Sequence, residues 1–307
     1  MDEQGYREER RVKHLAAWRW SLAVSSILLT IANLSCDLFQ EDSPRSDPSI
    51  LSMVRIPAGS FSMGSINENA GADESPVHIV TLDSFRISKH EITQSLFLEL
   101  MGFNPSWFTE AGVLEDYPVE SVGWFDALEF CNKLSLRDEL EPVYVISSRI
   151  PTTGPIASAT VVAEFEDSEG NQKNGYRLPT EAQWEYAAIG SAGTTYAWGN
   201  SNLAATAEAN AWLYVNAGNS VHTAGLKRAN TWGLYDMAGN VWEWCWDWYG
   251  PYTDAAVANP GGPDSGSSKV LRGGSWSDPL SAMRAATRWF VDPVSGSKNV
   301  GFRIVAP

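Results

Sequence analysis

Short strand-like runs, helical stripes and one long aperiodic stretch in the same chain predict a mixed α+β fold with little regular secondary structure and long ordered loops. The strand signal is apolar alternation over 53–64 (MVRIPAGSFSMG), 75–87 (SPVHIVTLDSFRI) and the later runs VYVIS and ATVVAEFE. The helical signal is clearest where Ala127, Leu128, Cys131 and Leu134 fall on one face. From 198 to 232 the chain is rich in Asn, Gly and Ala and follows neither period, so ordered loops are expected there.

A chain of 307 residues, 44% hydrophobic and 11% aromatic, can bury a substantial core as one large or two ordinary domains. Its net charge of −15 and pI near 4.7 would repel phosphate backbones, which argues against nucleic acid as a partner. The first 35 residues read as a signal peptide: Arg7, Arg10, Arg11, Lys13 and Arg19 precede an apolar run from Trp20 to Leu34. That run is shorter than the roughly 20 residues that span a bilayer. It ends in Leu34-Ser35-Cys36, which resembles a bacterial lipobox, although Asn33 departs from the usual aliphatic residue. Cys36 is therefore the expected lipidated N-terminus, 36–49 a polar tether, and 50–307 the folded body, exported and anchored to a membrane in the periplasm or at the cell surface.

Along that body, Pro57 and Gly59 should join two short strands. His78, flanked by strand residues and with no second ligand at metal spacing, reads as structural. Thr93 is a plausible N-cap for a helix through about Met101, and a second helix should run from Trp124 to about Ser135. VYVIS and ATVVAEFE should form a hairpin. In GYRLPTEAQWEYAA, Thr180 and Gln183 fit a capping box with Trp184, Ala187 and Ala188 facing inward. Cys131 and Cys245 could pair or stay buried as free thiols, the commoner outcome for a cysteine on a helix's apolar face.

The stretch 233–248, GLYDMAGNVWEWCWDW, concentrates chemistry. Trp242, Trp244, Trp246 and Trp248 alternate with Glu243, Cys245 and Asp247, placing carboxylates beside aromatic surface where an unpaired charge costs several kcal/mol. Two readings compete. Calcium, which takes six to eight oxygens, suits Asp236, Gly239 and Glu243; alternatively, Asp and Asn in a glycine turn bond their own backbone.

MVRIPAGSFSMGS, SPVHIVTLDSFRISKHEIT, GYRLPTEAQWEYAA, GLYDMAGNVWEW, VLRGGSW and NVGFR occur here in the order seen in formylglycine-generating enzymes, the sulfatase-modifying-factor family, and the chain resembles that family over about 50–307. The resemblance implies a single α+β domain related to the C-type lectin fold and stiffened by structural calcium. The ligands it implies are the side chains of Asp236 and Glu243 and the carbonyls of Gly239 and Val241. A second family calcium site near Asn210 and Ala211 has no acidic partner between Asn216 and Thr223.

The family's oxidation of a substrate cysteine needs two cysteines near the C-terminus to bind copper(I). From Arg272 to Pro307 this chain has none, and Asp278 and Met283 stand at roughly those places. Copper is therefore not expected. Nor is an iron site, given four histidines, His14, His78, His90 and His222, and no room for an additional helical domain. No serine sits in a recognisable nucleophile turn. The expected function is a non-catalytic, monomeric module that binds a protein or glycan through its C-terminal segment, with enzymatic oxidation of a sulfatase cysteine as the alternative. The candidate ligand-binding residues are Trp276, Ser277, Asp278, Leu280, Ser281, Met283, Arg284, Trp289, Phe290 and Asp292. Arg284 and Arg288 could clamp a carboxylate or pair with core acids. The family also includes displayed variable proteins of diversity-generating retroelements, and 277–282 with 290–292 hold residue types compatible with diversified asparagine codons.

Overall fold

The computed structural model describes residues 51–109 and 116–307, all within one compact unit, Asp47–Pro307. The signal peptide, Cys36 and the tether lie outside the described residues.

The first strands divide between two sheets. β1 (Met53–Ile56) pairs antiparallel with β4 (Phe85–Ser88), whose other edge takes β12 (Val305–Ala306). β2 (Gly59–Met63) pairs instead with β3 (His78–Leu82), which is joined by the short parallel β8 (Val257–Ala258). The sequence reading of two joined strands at 53–64 is right, but they do not pair: the Pro57 turn carries the chain from one sheet to the next. His78 is buried, with Nδ1 3.1 Å from the Pro76 carbonyl and its ring edge-on to Tyr252.

Local signals set the helices. α1 (Gln94–Met101) starts where the Thr93 hydroxyl accepts from Leu96 N–H and stops at Gly102, whose left-handed φ of 77° costs glycine little. α2 (Trp124–Arg137) buries Ala127, Leu128, Cys131 and Leu134, the stripe its sequence shows. β5 (Tyr144–Ile150) and β6 (Ser158–Ala163) form the expected hairpin. α3 (Glu181–Ile189) carries the reciprocal Thr180–Gln183 capping box, but all nine of its residues are buried, so a one-sided stripe is too narrow a description. α4 (Ala204–Asn210) is the one helix in the described stretch 198–232.

Everything meets at a four-stranded sheet ordered β10 (Arg288–Val291), β9 (Lys269–Arg272), β7 (Trp242–Trp248) and β11 (Val300–Gly301). Both faces of β7 are covered. Trp242 and Trp244 join a core with Phe97, Phe130 and Phe302, whereas Cys245 joins a second core with Ile87, Trp184 and Val305. The alternation of Trp with Glu, Cys and Asp is thus a strand between two cores, not a half-buried strand with a wet face. Cys131 and Cys245 are both free and buried, and burial pushes both thiols up.

Charges on the second-core side are paired. Glu243 Oε2 accepts from Arg303 Nε (2.6 Å) and Trp184 Nε1 (2.6 Å), and Oε1 accepts from Arg303 Nη2 (2.7 Å). Arg272 pairs with Glu185 and donates to the Ala286 and Thr287 carbonyls. Arg288 grips Glu181 at 2.6 and 2.9 Å. Breaking a buried pair by removing one partner typically costs about 3–5 kcal/mol, because the remaining charge stays desolvated. Arg303→Met should therefore lower unfolding free energy by about that amount, measured by urea denaturation. Arg303→Met with Glu243→Gln should recover part of the loss, and a single variant within 1 kcal/mol of wild type would refute the assignment.

A second prediction concerns Asp126 on α2, whose Oδ1 accepts from Ile156 N–H (2.9 Å). Burial pushes this carboxyl up to about 6, against the Ile156 hydrogen bond. The folded protein then holds the proton more tightly than the unfolded chain, so this group's contribution to stability falls as pH rises from about 4 to about 6. Asp126→Asn removes the titration. Wild-type stability should decline relative to the variant across that window in denaturant melts, and parallel curves would exclude it.

Candidate functional site

The C-terminal segment folds over the sheet edge through the Arg272-Gly273-Gly274-Ser275-Trp276 turn. Gly273 and Gly274 adopt φ of 103° and 76°, and a side chain at either would strike the Trp184 ring or Met283. Ser275 Oγ donates to Asp278 Oδ2, which also accepts from Trp242 Nε1 (2.9 Å); Ser277 Oγ lies 3.0 Å from Ser275 Oγ, and Asn299 Nδ2 reaches both hydroxyls. Trp242, Asp278 and Asn299 of this network line a cleft of about 690 Å³, together with residues of the loop 69–74 and of β10. That volume is in the range of small-molecule and peptide-side-chain sites.

The structure divides the sequence-predicted residues. Asp278, Ser281, Arg284 and Trp289 line the cleft. Trp276 does not: it is buried edge-on to Phe108 and donates to the Lys298 carbonyl. Met283 is buried beneath Gly274, so both are core residues and their place in the binding set is corrected. Arg284 lines the cleft but is not free to clamp a ligand, since Nη1 and Nη2 bond Glu74 at 2.5 and 2.6 Å. It pairs with a core acid, as Arg288 does. Trp289 is 55% exposed and Phe290 43%; Trp289 lines the cleft, and Phe290 stacks on Tyr249 at 4.1 Å, with the Trp289 ring 6.0 Å from its own. Leu280 and Ser277 stand half-buried beside the cleft, and exposed Asp292 caps the following turn through Val294 N–H. Sequence reasoning missed Trp242, Asn299 and the loop 69–74 as cleft residues. Trp242 and Asn299 lie in recognised motifs, but the loop carries no periodic or motif signal.

Around the 233–248 turn, three carboxylates, Glu91, Asp236 and Glu243, surround one guanidinium, Arg303. Asp236 Oδ2 accepts from Gly225 N–H (2.6 Å), while Asp236 Oδ1 is buried with no hydrogen-bond partner. Burial pushes Asp236 up to about 6 and Glu91 well above the usual carboxylate range, with neighbouring acids adding to the rise. Asn240 bonds remote groups, accepting from His222 N–H and donating to Glu91, so the turn is not satisfied by its own backbone. An orphaned oxygen and a surplus of negative charge fit a hard cation. The donors would be Asp236 and Glu243, the latter sharing its carboxylate with Arg303, and the carbonyls of Gly239 and Val241. Among the described residues, no three His, Cys, Asp or Glu side chains gather as a metal cluster. Near the second calcium position, Asn210 Nδ2 donates to the Thr206 carbonyl and the Ala211 carbonyl accepts from Asn216.

Because Trp289 is more than half exposed, Trp289→Ala should change unfolding free energy by less than about 1 kcal/mol, whereas Trp244→Ala, fully buried, should cost about 3–5 kcal/mol. Comparable losses in thermal melts would make Trp289 a core residue.

The family model described as sulfatase-modifying factor enzyme 1-like domain matches residues 39–307. The chain is 34% identical over 249 residues to the chaperone protein LppX of Paenibacillus barcinonensis, covering 74% of this chain and 81% of that one. It is 33% identical over 297 residues to the formylglycine-generating enzyme of Streptomyces coelicolor, covering 86% and 92%. Among solved structures, Treponema denticola variable protein 1 superposes with a TM-score of 0.71 at 33% identity, covering 83% of this chain and 95% of that one. The ordered motifs, the α+β architecture and these matches agree: the chain belongs to the formylglycine-generating-enzyme, or sulfatase-modifying-factor, family.

Proposed function

We propose that this protein is a non-catalytic member of its family, an exported lipoprotein that binds a protein or glycan at the cleft beneath β10. The observation that supports this reading most is the composition of the cleft: it is lined by Asp278, Trp242 and Asn299, which are hydrogen-bonded to one another directly or through Ser275, its rim offers exposed Trp289, and no thiol lines it. An exposed tryptophan at the mouth of a cleft contributes binding energy when a partner desolvates it. Both cysteines of the described body are buried elsewhere, which leaves them unsuited to a mixed disulfide with substrate. The relatives named as a chaperone and as a variable protein are in keeping with a binding role.

The purified protein, given copper(I), oxygen and a sulfatase-type cysteine peptide, should leave the peptide's mass unchanged; turnover to the aldehyde would establish the enzymatic alternative. A reverse transcriptase gene beside this one, with a template copy of its 3′ end, would mark the C-terminal segment as diversified. Intact mass after bacterial expression should show a lipid-modified Cys36, and a Cys36→Ala protein that still partitions into detergent would exclude that anchor.

Calcium at Asp236 and Glu243 is proposed as a structural ion, on the strength of the unpartnered Asp236 Oδ1. A ligand at a hundred times its dissociation constant stabilises the folded state by about 2.7 kcal/mol. Chelation should therefore lower the melting temperature by several degrees, and Asp236→Ala should abolish the chelator response. An identical melt for calcium-loaded and metal-free protein would remove the ion from the account.

A further inference from the structure

A second cleft, of about 760 Å³, opens on the far side of the Arg284–Glu74 pair from the first. Its floor is apolar, built by Phe61, Val77 and Ile189, and its rim is hydroxylic, with Ser62, Ser191 and Thr195 carrying side chains that bond no other described residue. Tyr186 lines it from α3, its ring 5.2 Å from that of Phe61. Tyr186 is 9% exposed as a residue, but its hydroxyl keeps contact with solvent and bonds no other described residue. Such an O–H can exchange its water for a ligand's hydroxyl. Gly59 accommodates that hydroxyl: any side chain there would collide with it.

The charged groups at this cleft are already committed. Glu185 accepts from Gly64 N–H and from Arg272, and Arg284 is gripped by Glu74 through both terminal nitrogens. A charged ligand would find no free counter-ion and would be desolvated against a satisfied pair. A neutral molecule with an apolar face and a hydroxylated edge would match floor and rim together, and the volume suits one to two rings.

We propose that the cleft between β2, α3 and the turn 190–195 is a binding site for a neutral, hydroxyl-rich small molecule of the saccharide class, with the Tyr186 hydroxyl as its hydrogen-bonding anchor. The site is separate from the C-terminal cleft and does not depend on what that cleft binds.

The test is ligand-observed NMR on the full-length protein with maltose, cellobiose and lactose as neutral probes, and glucuronate and glucosamine as charged ones. At least one neutral disaccharide should bind saturably at millimolar concentration, and the charged sugars should bind more weakly. Tyr186→Phe, which deletes only the hydroxyl, should weaken that binding about fivefold, as expected for one lost hydrogen bond. Thr195→Val, on the half-exposed rim, should weaken it by a smaller factor and serves as the deciding variant if Tyr186→Phe fails to fold by circular dichroism. The proposal is overturned if none of the neutral probes saturates, if the charged sugars bind equally well, or if binding survives both substitutions unchanged.

Discussion

A strand with core on both faces cannot carry a carboxylate unless something meets it, and β7 carries Glu243 as its second residue. The solution is Arg303, which approaches from four residues before Pro307, engages both carboxylate oxygens and passes its remaining hydrogens to the Ser88 and Tyr235 carbonyls. The pair therefore fixes three segments at once: the central strand, the first sheet through β4, and the turn that bears Asp236. Its net worth as an ion pair matters less than the cost of having either half alone.

The same arrangement recurs along the C-terminal segment. Arg272, Arg284, Arg288 and Arg303 all come from the last 36 residues, and their partners Glu185, Glu74, Glu181 and Glu243 all come from earlier in the chain. Each cation crosses a core boundary to reach its acid, so the C-terminal segment cannot shift without exposing or stranding charge. Lys269 is held differently, its ammonium donating to the Trp246 carbonyl and lying 3.7 Å from the Trp248 ring and 4.0 Å from the Trp124 ring, with burial pulling it down to about 7. The cleft is thus a rigid scaffold rather than a loop that closes over its ligand.

Those features that local chemistry specifies were legible in the sequence. The Thr93 and Thr180 caps, the stripe of α2, the β5–β6 hairpin and the loops from 198 onward follow from propensity and period alone. Strand pairing was not, because β1 and β2 sit on either side of a tight turn yet belong to different sheets; only long-range partners decide that. The burial of β7 on both faces was hidden for a related reason: alternation of Trp with Glu and Asp reads as one wet face until Arg303 and Arg272 are known to lie across it. At the site, Trp276 and Met283 were misplaced because aromatic and thioether side chains look alike whether they face a ligand or fill a core. For Arg284 and Arg288 the sequence left a ligand clamp and a core pair both open, and Arg284 was placed with the ligand-binding residues; only the long-range approach of Glu74 and Glu181 decides for the pair.

What distinguishes this cleft from that of a cysteine oxidase is the state of its polar groups as much as the missing thiols. Asp278 stands about where a thiol would be needed, and its Oδ2 already accepts from both Ser275 and Trp242. Ser277 and Asn299 complete the same network, and Arg284 is neutralised by Glu74. No cysteine lines this cleft, and the polar groups of its wall are largely bonded to one another. Ser281 and Trp289 remain exposed at its rim. Exposed side chains of this kind can change at little cost to folding. The fold can therefore keep its frame of arginines, glycines and tryptophans while the surface over it is altered, which is the physical condition for one scaffold to serve both an enzyme and a binding protein.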